Sequence, residues 1–174
     1  MEKVNWKREV LLTGGLILLV LLLFKGVFNL SAVMGDSMEP SLASGEKVVG
    51  LRLGKLQRFE IVTFHAPDEA GANYVKRIIG LPGDQISYQD DQLYVNGEKL
   101  AEPYLQEEKK AVQATGTQLT PDFSYQVPTD EYFVMGDNRQ VSKDSRMFGG
   151  ISSKAVIGDV RFVLWPLTKL GAPR

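Results

Sequence analysis

The sequence predicts a mainly β, antiparallel domain behind one N-terminal membrane-spanning helix. Three observations predict it. Residues 10–24 form a run of fifteen without a charge. From residue 35 onward, short runs rich in Val, Ile, Tyr and Phe alternate with Gly, Pro, Asn and Asp. That same region shows little of the 3.6-residue periodicity of amphipathic helices.

The apolar run VLLTGGLILLVLLLF would extend only about 22 Å as a helix, short of the roughly 30 Å hydrocarbon core. Continuing it to Phe28 or Leu30, with Lys25 snorkelling, closes the gap. Trp6 then falls at headgroup level. A cleavable secretory signal is the alternative. The small-x-small pairs such a signal needs are poor here: Asn29/Ser31, Leu30/Ala32 and Val33/Gly35. Lys3, Lys7 and Arg8 precede the run, and Lys25 is the one basic residue between it and Lys47. The positive-inside bias places residues 1–9 in the cytoplasm, 10–30 as a signal anchor, and 31–174 outside as the β domain.

Strands are expected at 47–51, 60–65, 74–80, 85–88, 92–95, 131–135 and 155–164. Asn96-Gly97 after Leu93-Tyr94-Val95 is a hairpin signal, and Leu81-Pro82-Gly83-Asp84 a turn. Residues 106–124 are polar without a clean period and read as a long loop or peripheral excursion. No internal repeat is visible. Such strands close into a barrel or pack as a pair of sheets.

Composition removes whole classes of chemistry. There is no cysteine, so no thiol nucleophile and no thiolate metal site. The single histidine, His65, excludes two- or three-histidine zinc sites and is the one available base for a Ser–His–Asp triad. A net charge of −1 gives no electrostatic case for nucleic acid.

Three stretches can carry chemistry. Met34-Gly35-Asp36-Ser37-Met38-Glu39-Pro40 places a serine in a tight bend, where a hydroxyl and a backbone N–H can face one way, as an oxyanion site requires. An ordinary turn after a membrane helix would look the same. Tyr74-Val75-Lys76-Arg77-Ile78-Ile79 places two cations in an apolar strand. Alternation assigns Tyr74, Lys76 and Ile78 to one face and Val75, Arg77 and Ile79 to the other. One cation therefore faces inward or lies on an edge. If that one is Lys76, burial favours the neutral amine, a base. The competing reading is two solvated faces. Gly136-Asp137-Asn138-Arg139-Gln140-Val141-Ser142-Lys143-Asp144-Ser145-Arg146 suits a loop held by carboxylate–guanidinium pairs. It could equally be plain surface. A calcium cage is disfavoured by its three cations.

GDSMEPSL, YVKRIIGLPGD and GDNRQVSKDSR, with FEIVTFHAP between the first two, resemble in order and spacing the motifs of the type I signal peptidases, family S26. The resemblance covers nearly the whole chain, in the compact form typical of Gram-positive bacteria. It implies an all-β catalytic domain of coiled sheets on the membrane surface. It implies Ser37 as nucleophile, Lys76 as general base, Ser142 as the hydroxyl that positions the amine, and Asp144–Arg146 as a supporting ion pair. Val33, Met38, Leu42, Tyr74 and Val75 match positions lining pockets for small side chains. The implied partners are membrane lipid and secretory preproteins with small residues at the first and third positions before the cut. No metal, cofactor or nucleic acid is implied. Gly35 stands where some members have a serine or threonine for the oxyanion hole, and Val141 where the family often has Asn.

Three rival readings make different predictions. A Ser–Lys autoprotease of the SOS-repressor kind would cut an Ala-Gly bond, and Ala70-Gly71 lies in a polar turn. An anchored domain that only binds peptides would have an inert Ser37. A His65 triad would fail on loss of His65.

Overall fold

The computed structural model describes residues 6–52 and 54–173. Lys3, part of the basic flank, lies outside them. Helix α1 spans Trp6–Val27, strand β1 Phe28–Ala32, β2 Lys47–Leu51, β3 Ile61–His65, β4 Asn73–Gly80, β5 Gln85–Gln89, β6 Gln92–Val95 and β7 Glu98–Leu100. Helix α2 spans Gln106–Gln113, β8 Phe123–Gln126, β9 Glu131–Met135, α3 Ser145–Phe148, β10 Ile151–Ser152 and β11 Val156–Trp165.

All seven expected strands form. The helix has 22 residues, about 33 Å at 1.5 Å per residue, and is long and apolar enough to cross a membrane. It gains this length at the other end from the one expected. Among the described residues it already runs from Trp6, where Lys7, Arg8 and Glu9 are good helix formers. It stops at Val27 rather than running to Phe28 or Leu30. Residues 28–32 instead pair antiparallel with β2, Phe28 opposite Leu51 and Ala32 opposite Lys47. A strand partner satisfies their backbone groups as well as another helical turn would. The boundary 30/31 expected between anchor and domain thus falls inside a strand.

Seven strands make one sheet, in the order β1-β2-β11-β3-β4-β9-β10, and four make another, β7-β6-β5-β8. Every pairing is antiparallel. Neither sheet closes on itself among the described residues, so the pair-of-sheets expectation holds and the closed barrel does not. The Asn96-Gly97 turn joins β6 to β7, with both residues at positive φ. The two sheets meet through one apolar cluster, to which β4 and β9 give Ile79, Phe133 and Met135, and β5 and β6 give Ile86, Tyr88, Leu93 and Val95.

The 106–124 excursion is less loose than expected. It opens with α2, and Lys109 ties that helix down by donating to the Asp91 carbonyl and to Glu102, at 2.5 and 3.0 Å. Thr120 N–H and Leu119 N–H donate to the Asp91 carboxylate. Buried carboxylates, not apolar periodicity, fix this segment.

Candidate active site

Ser37 sits where the chain, having left β1, turns back toward β2. Gly35 takes φ +77°, a backbone region that costs glycine little, and its N–H donates to Ser44 Oγ at 3.2 Å. A turn follows, with Glu39 N–H donating to the Asp36 carbonyl at 3.1 Å. The Ser37 carbonyl accepts from Asn138 N–H at 3.1 Å, which fixes the turn against the loop after β9. Among the described residues the Ser37 N–H has no acceptor of its own.

Lys76 comes from β4, opposite Val62 of β3. It is 5% exposed. Its ammonium donates to Ser37 Oγ at 2.6 Å and to the Val75 carbonyl at 3.1 Å. It shares a strand face with Tyr74, whose ring centroid is 5.5 Å away. Burial pushes this lysine down to about 8, against Asp144 and Asp137, which favour its charged form. Once neutral, the amine can accept from the serine hydroxyl along the same contact.

Arg77 is buried as well, on the opposite face. The sequence required only one of the two cations to be inside. Both are, because β4 is covered on both sides. Arg77 forms a fork with Asp137, Nε to Oδ1 at 2.9 Å and Nη2 to Oδ2 at 2.7 Å. It also donates to the Phe59 carbonyl and Ser41 Oγ, and lies 4.1 Å from the Tyr104 ring centroid. One guanidinium therefore joins the strand carrying Lys76, the turn carrying Ser37 and the loop after β9. Sequence reasoning missed this role. The signal was an acidic residue, Asp137, directly after the glycine that follows β9, and an arginine directly after the candidate base. Removing one partner of a buried pair strands the other charge. Asp137→Ala is expected to cost about 3–5 kcal/mol, read as a lower denaturation midpoint of the detergent-solubilised chain.

The loop from Gly136 to Ser145 closes the site. Gly136 is packed so tightly that a Cβ there would collide with Ser142 Oγ and the Ser37 carbonyl. Asp144 caps α3 and accepts from Gly136 N–H at 3.0 Å. It makes the expected fork with Arg146, both contacts at 2.8 Å. Burial pushes the Asp144 carboxyl up, but Arg146 and the Gly136 N–H outweigh it and hold it below the usual carboxylate range. Arg139, fully buried, reaches the other way to Glu102 at 2.5 Å and to the Gly136 carbonyl at 3.2 Å. Ser142 is buried beside Gly136. Its hydroxyl makes no hydrogen bond of ordinary geometry, although it stands close enough to Asp144 to help keep that carboxyl ionised. It does not bond Lys76, whose partners are Ser37 and Val75.

Beside the serine lies a small cavity of about 40 Å³. Val33, Met38, Tyr74 and Val75 line it, together with Ala32, Met34 and Asn73, which the sequence did not single out. Leu42 does not line it. It is fully buried in the apolar cluster with Val33, Met38 and Val75, beneath the cavity. His65 lies at the end of β3 and its ring pairs with Asn73 Oδ1 at 2.9 Å, not with Ser37. Ala70 and Gly71 form the turn between β3 and β4. No group of three or more metal-ligating side chains exists among the described residues.

Residues 6–165 match the family described as signal peptidase, peptidase S26. This chain belongs to that family. It is 42% identical over 172 residues to the signal peptidase I of Bacillus licheniformis, covering 95% of this chain and 90% of that one. It is 42% identical over 165 residues to the signal peptidase IB of Staphylococcus aureus strain COL, covering 86% and 85%. The crystal structure of a signal peptidase I from Enterococcus faecalis superposes with a TM-score of 0.58 at 41% identity, covering 62% of this chain and 97% of that one. Membership of the signal peptidases fits the site built above: a serine and a buried lysine in contact, beside a small cavity.

Proposed function

We propose that this protein is a membrane-bound serine endopeptidase that removes N-terminal signal peptides from secretory preproteins, with Ser37 as nucleophile and Lys76 as general base. The observation that carries the dyad is the 2.6 Å contact between Lys76 Nζ and Ser37 Oγ inside apolar walls. A neutral amine there takes the hydroxyl proton as Oγ attacks the scissile carbonyl. The resulting ammonium hands the proton to the leaving amine. The freed amine then activates a water against the acyl-enzyme. The Ser37 N–H, unused by the fold, faces the developing oxyanion. Gly35 supplies no side-chain donor. Ser142 turns its unpartnered hydroxyl to the neutral amine and fixes its direction, which also relieves the cost of a buried unsatisfied group.

The substrate lies extended between 32–34 and 73–75, and the 40 Å³ cavity admits only small side chains near the cut. Helix α1 spans the bilayer once, with the N-terminus in the cytoplasm and the β domain outside. It runs directly into β1. Leu30, Phe162, Leu164, Trp165, Leu167 and Leu170 are exposed on β1, on β11 and just after it. These side chains rest in lipid headgroups and hold the site at the height where signal peptides end.

The test is preprotein cleavage by the detergent-solubilised full chain from about pH 6 to about pH 10. The rate should rise with pH and level off above a midpoint near 8, where Lys76 gives up its proton. His65→Ala should change kcat/KM by less than about threefold. A histidine-like midpoint near 6.5, or inactivity of His65→Ala, would overturn the dyad in favour of a triad.

A further inference from the structure

Cleavage leaves two products, and the cavity beside Ser37 accounts for only one. Ala32, Val33 and Met34 on one side and Asn73, Tyr74 and Val75 on the other receive the acyl half. The amine half has to leave past Ser37 in the opposite direction, toward the loop that donates Asn138 N–H to the Ser37 carbonyl.

That side is not flat. A cavity of about 340 Å³ begins at Glu39 and Pro40, next to the Ser37 turn, and runs along Asn138 to Ala111 and Val112 of α2. A larger one, about 670 Å³, begins at Ser142 and runs over Phe123 and Tyr125 to Met147. The two share Leu119, Arg139 and Gln140 in their walls, so they lie side by side as a two-part trough, with exposed Gln140 between them. Both volumes lie in the range of ordinary ligand sites, roughly 300–1,000 Å³. The end nearest Ser37 mixes charged Glu39 and Glu108 with apolar Pro40, Ala111 and Val112. The far end is aromatic, with Phe123 stacked on buried Phe133, Tyr125 tilted against the same ring, and Met147 standing exposed above.

We propose that this trough binds the first residues of the mature protein, the segment on the amine side of the scissile bond, and favours an apolar or aromatic side chain several residues beyond the cut. The proposal rests on the peptidase reading above. It also gives the 106–124 excursion a purpose: α2 and Leu119 are one wall, and the Glu102–Arg139 pair holds that wall to the catalytic loop. Aromatic and methionine side chains make adaptable apolar contacts that suit mature sequences of varied composition.

Two peptides test it on the full chain in detergent. One ends at the first residue beyond the cut. The other continues about six residues further and carries a phenylalanine near its fifth position. Wild type should cleave the longer with about tenfold higher kcat/KM. Ser124→Trp fills the far end of the trough and Ala111→Trp the near end. Each should reduce that advantage to about twofold or less while leaving the short peptide unaffected. A long peptide with a photo-reactive phenylalanine at the same position, bound to Ser37→Ala, should cross-link within 118–125 or 145–149. This last measurement stands even if a tryptophan variant folds poorly. An advantage that survives both fillings, no advantage in wild type, or cross-links elsewhere would overturn the proposal. Wild type cleaving neither peptide would overturn the peptidase reading itself.

Discussion

Ser37→Ala will lower preprotein cleavage by about 10⁴-fold or more, with little change in KM. The size follows from what the hydroxyl does. Among the described residues no other nucleophile hydrogen-bonds Lys76, whose one side-chain partner there is Ser37 Oγ. The turn itself needs no serine side chain: the Ser37 carbonyl is held by Asn138, and Met38 and Leu42 bury the residues after it. The variant should therefore fold like wild type and bind preprotein normally. Gel-based processing of a preprotein in detergent measures the loss. Cleavage within about tenfold of wild type would mean that Ser37 is not the nucleophile.

Lys76→Met should be comparably inactive, and it should also be more stable. The lysine pays for its chemistry in folding free energy. In the folded chain it ionises at about 8, against an ordinary 10.5. Between those values the unfolded chain binds more protons, so stability rises with pH across the window. Below about 8 both states are charged and the whole penalty is present, roughly 3 kcal/mol. Methionine has nearly the same shape and no charge. The variant should gain up to about 3 kcal/mol at neutral pH, less the lost serine contact, and the gain should shrink toward about pH 10.5. Denaturation midpoints at about pH 7 and about pH 10 measure it. A destabilised variant at both pH values would show that the amine is held by favourable contacts rather than at a cost.

These two predictions rest on residues legible in the chain, and the reason is local. A tight bend carrying a serine between Gly35 and Pro40, an apolar strand carrying a lysine and a polar loop dense in Asp and Arg each leave a pattern in consecutive residues. So do β-strand alternation and the Asn-Gly turn, which is why all seven expected strands formed. The loop's composition pointed to carboxylate–guanidinium pairs, and the family resemblance implied which one, Asp144 with Arg146.

What failed to show depends on partners distant in sequence. The helix end was misplaced because Phe28 to Ala32 read equally well as helix or strand until β2 offered them a ladder. Leu42 looked like a pocket residue and is core, since apolar character does not say which side of a cavity wall a side chain stands on. Which group the Ser142 hydroxyl meets is set by tertiary packing rather than by its neighbours in the chain, and among the described residues it makes no hydrogen bond. The α2 segment hid because Lys109, Glu102, Arg139 and Asp91 anchor it through contacts that span up to 37 positions.

The sequence by itself determined the chemistry available to this protein: no thiol, one histidine, a serine in a bend and a lysine in an apolar strand. It also determined a mainly antiparallel β domain behind an apolar helix. Only the tertiary structure decided that Lys76 and Arg77 are both buried, that the first touches Ser37 and the second locks strand, turn and loop together, and that cavities open beside the Ser37 turn and the loop after β9. Burial sets a lysine's charge, and burial is a property of everything packed around it rather than of its neighbours in the chain.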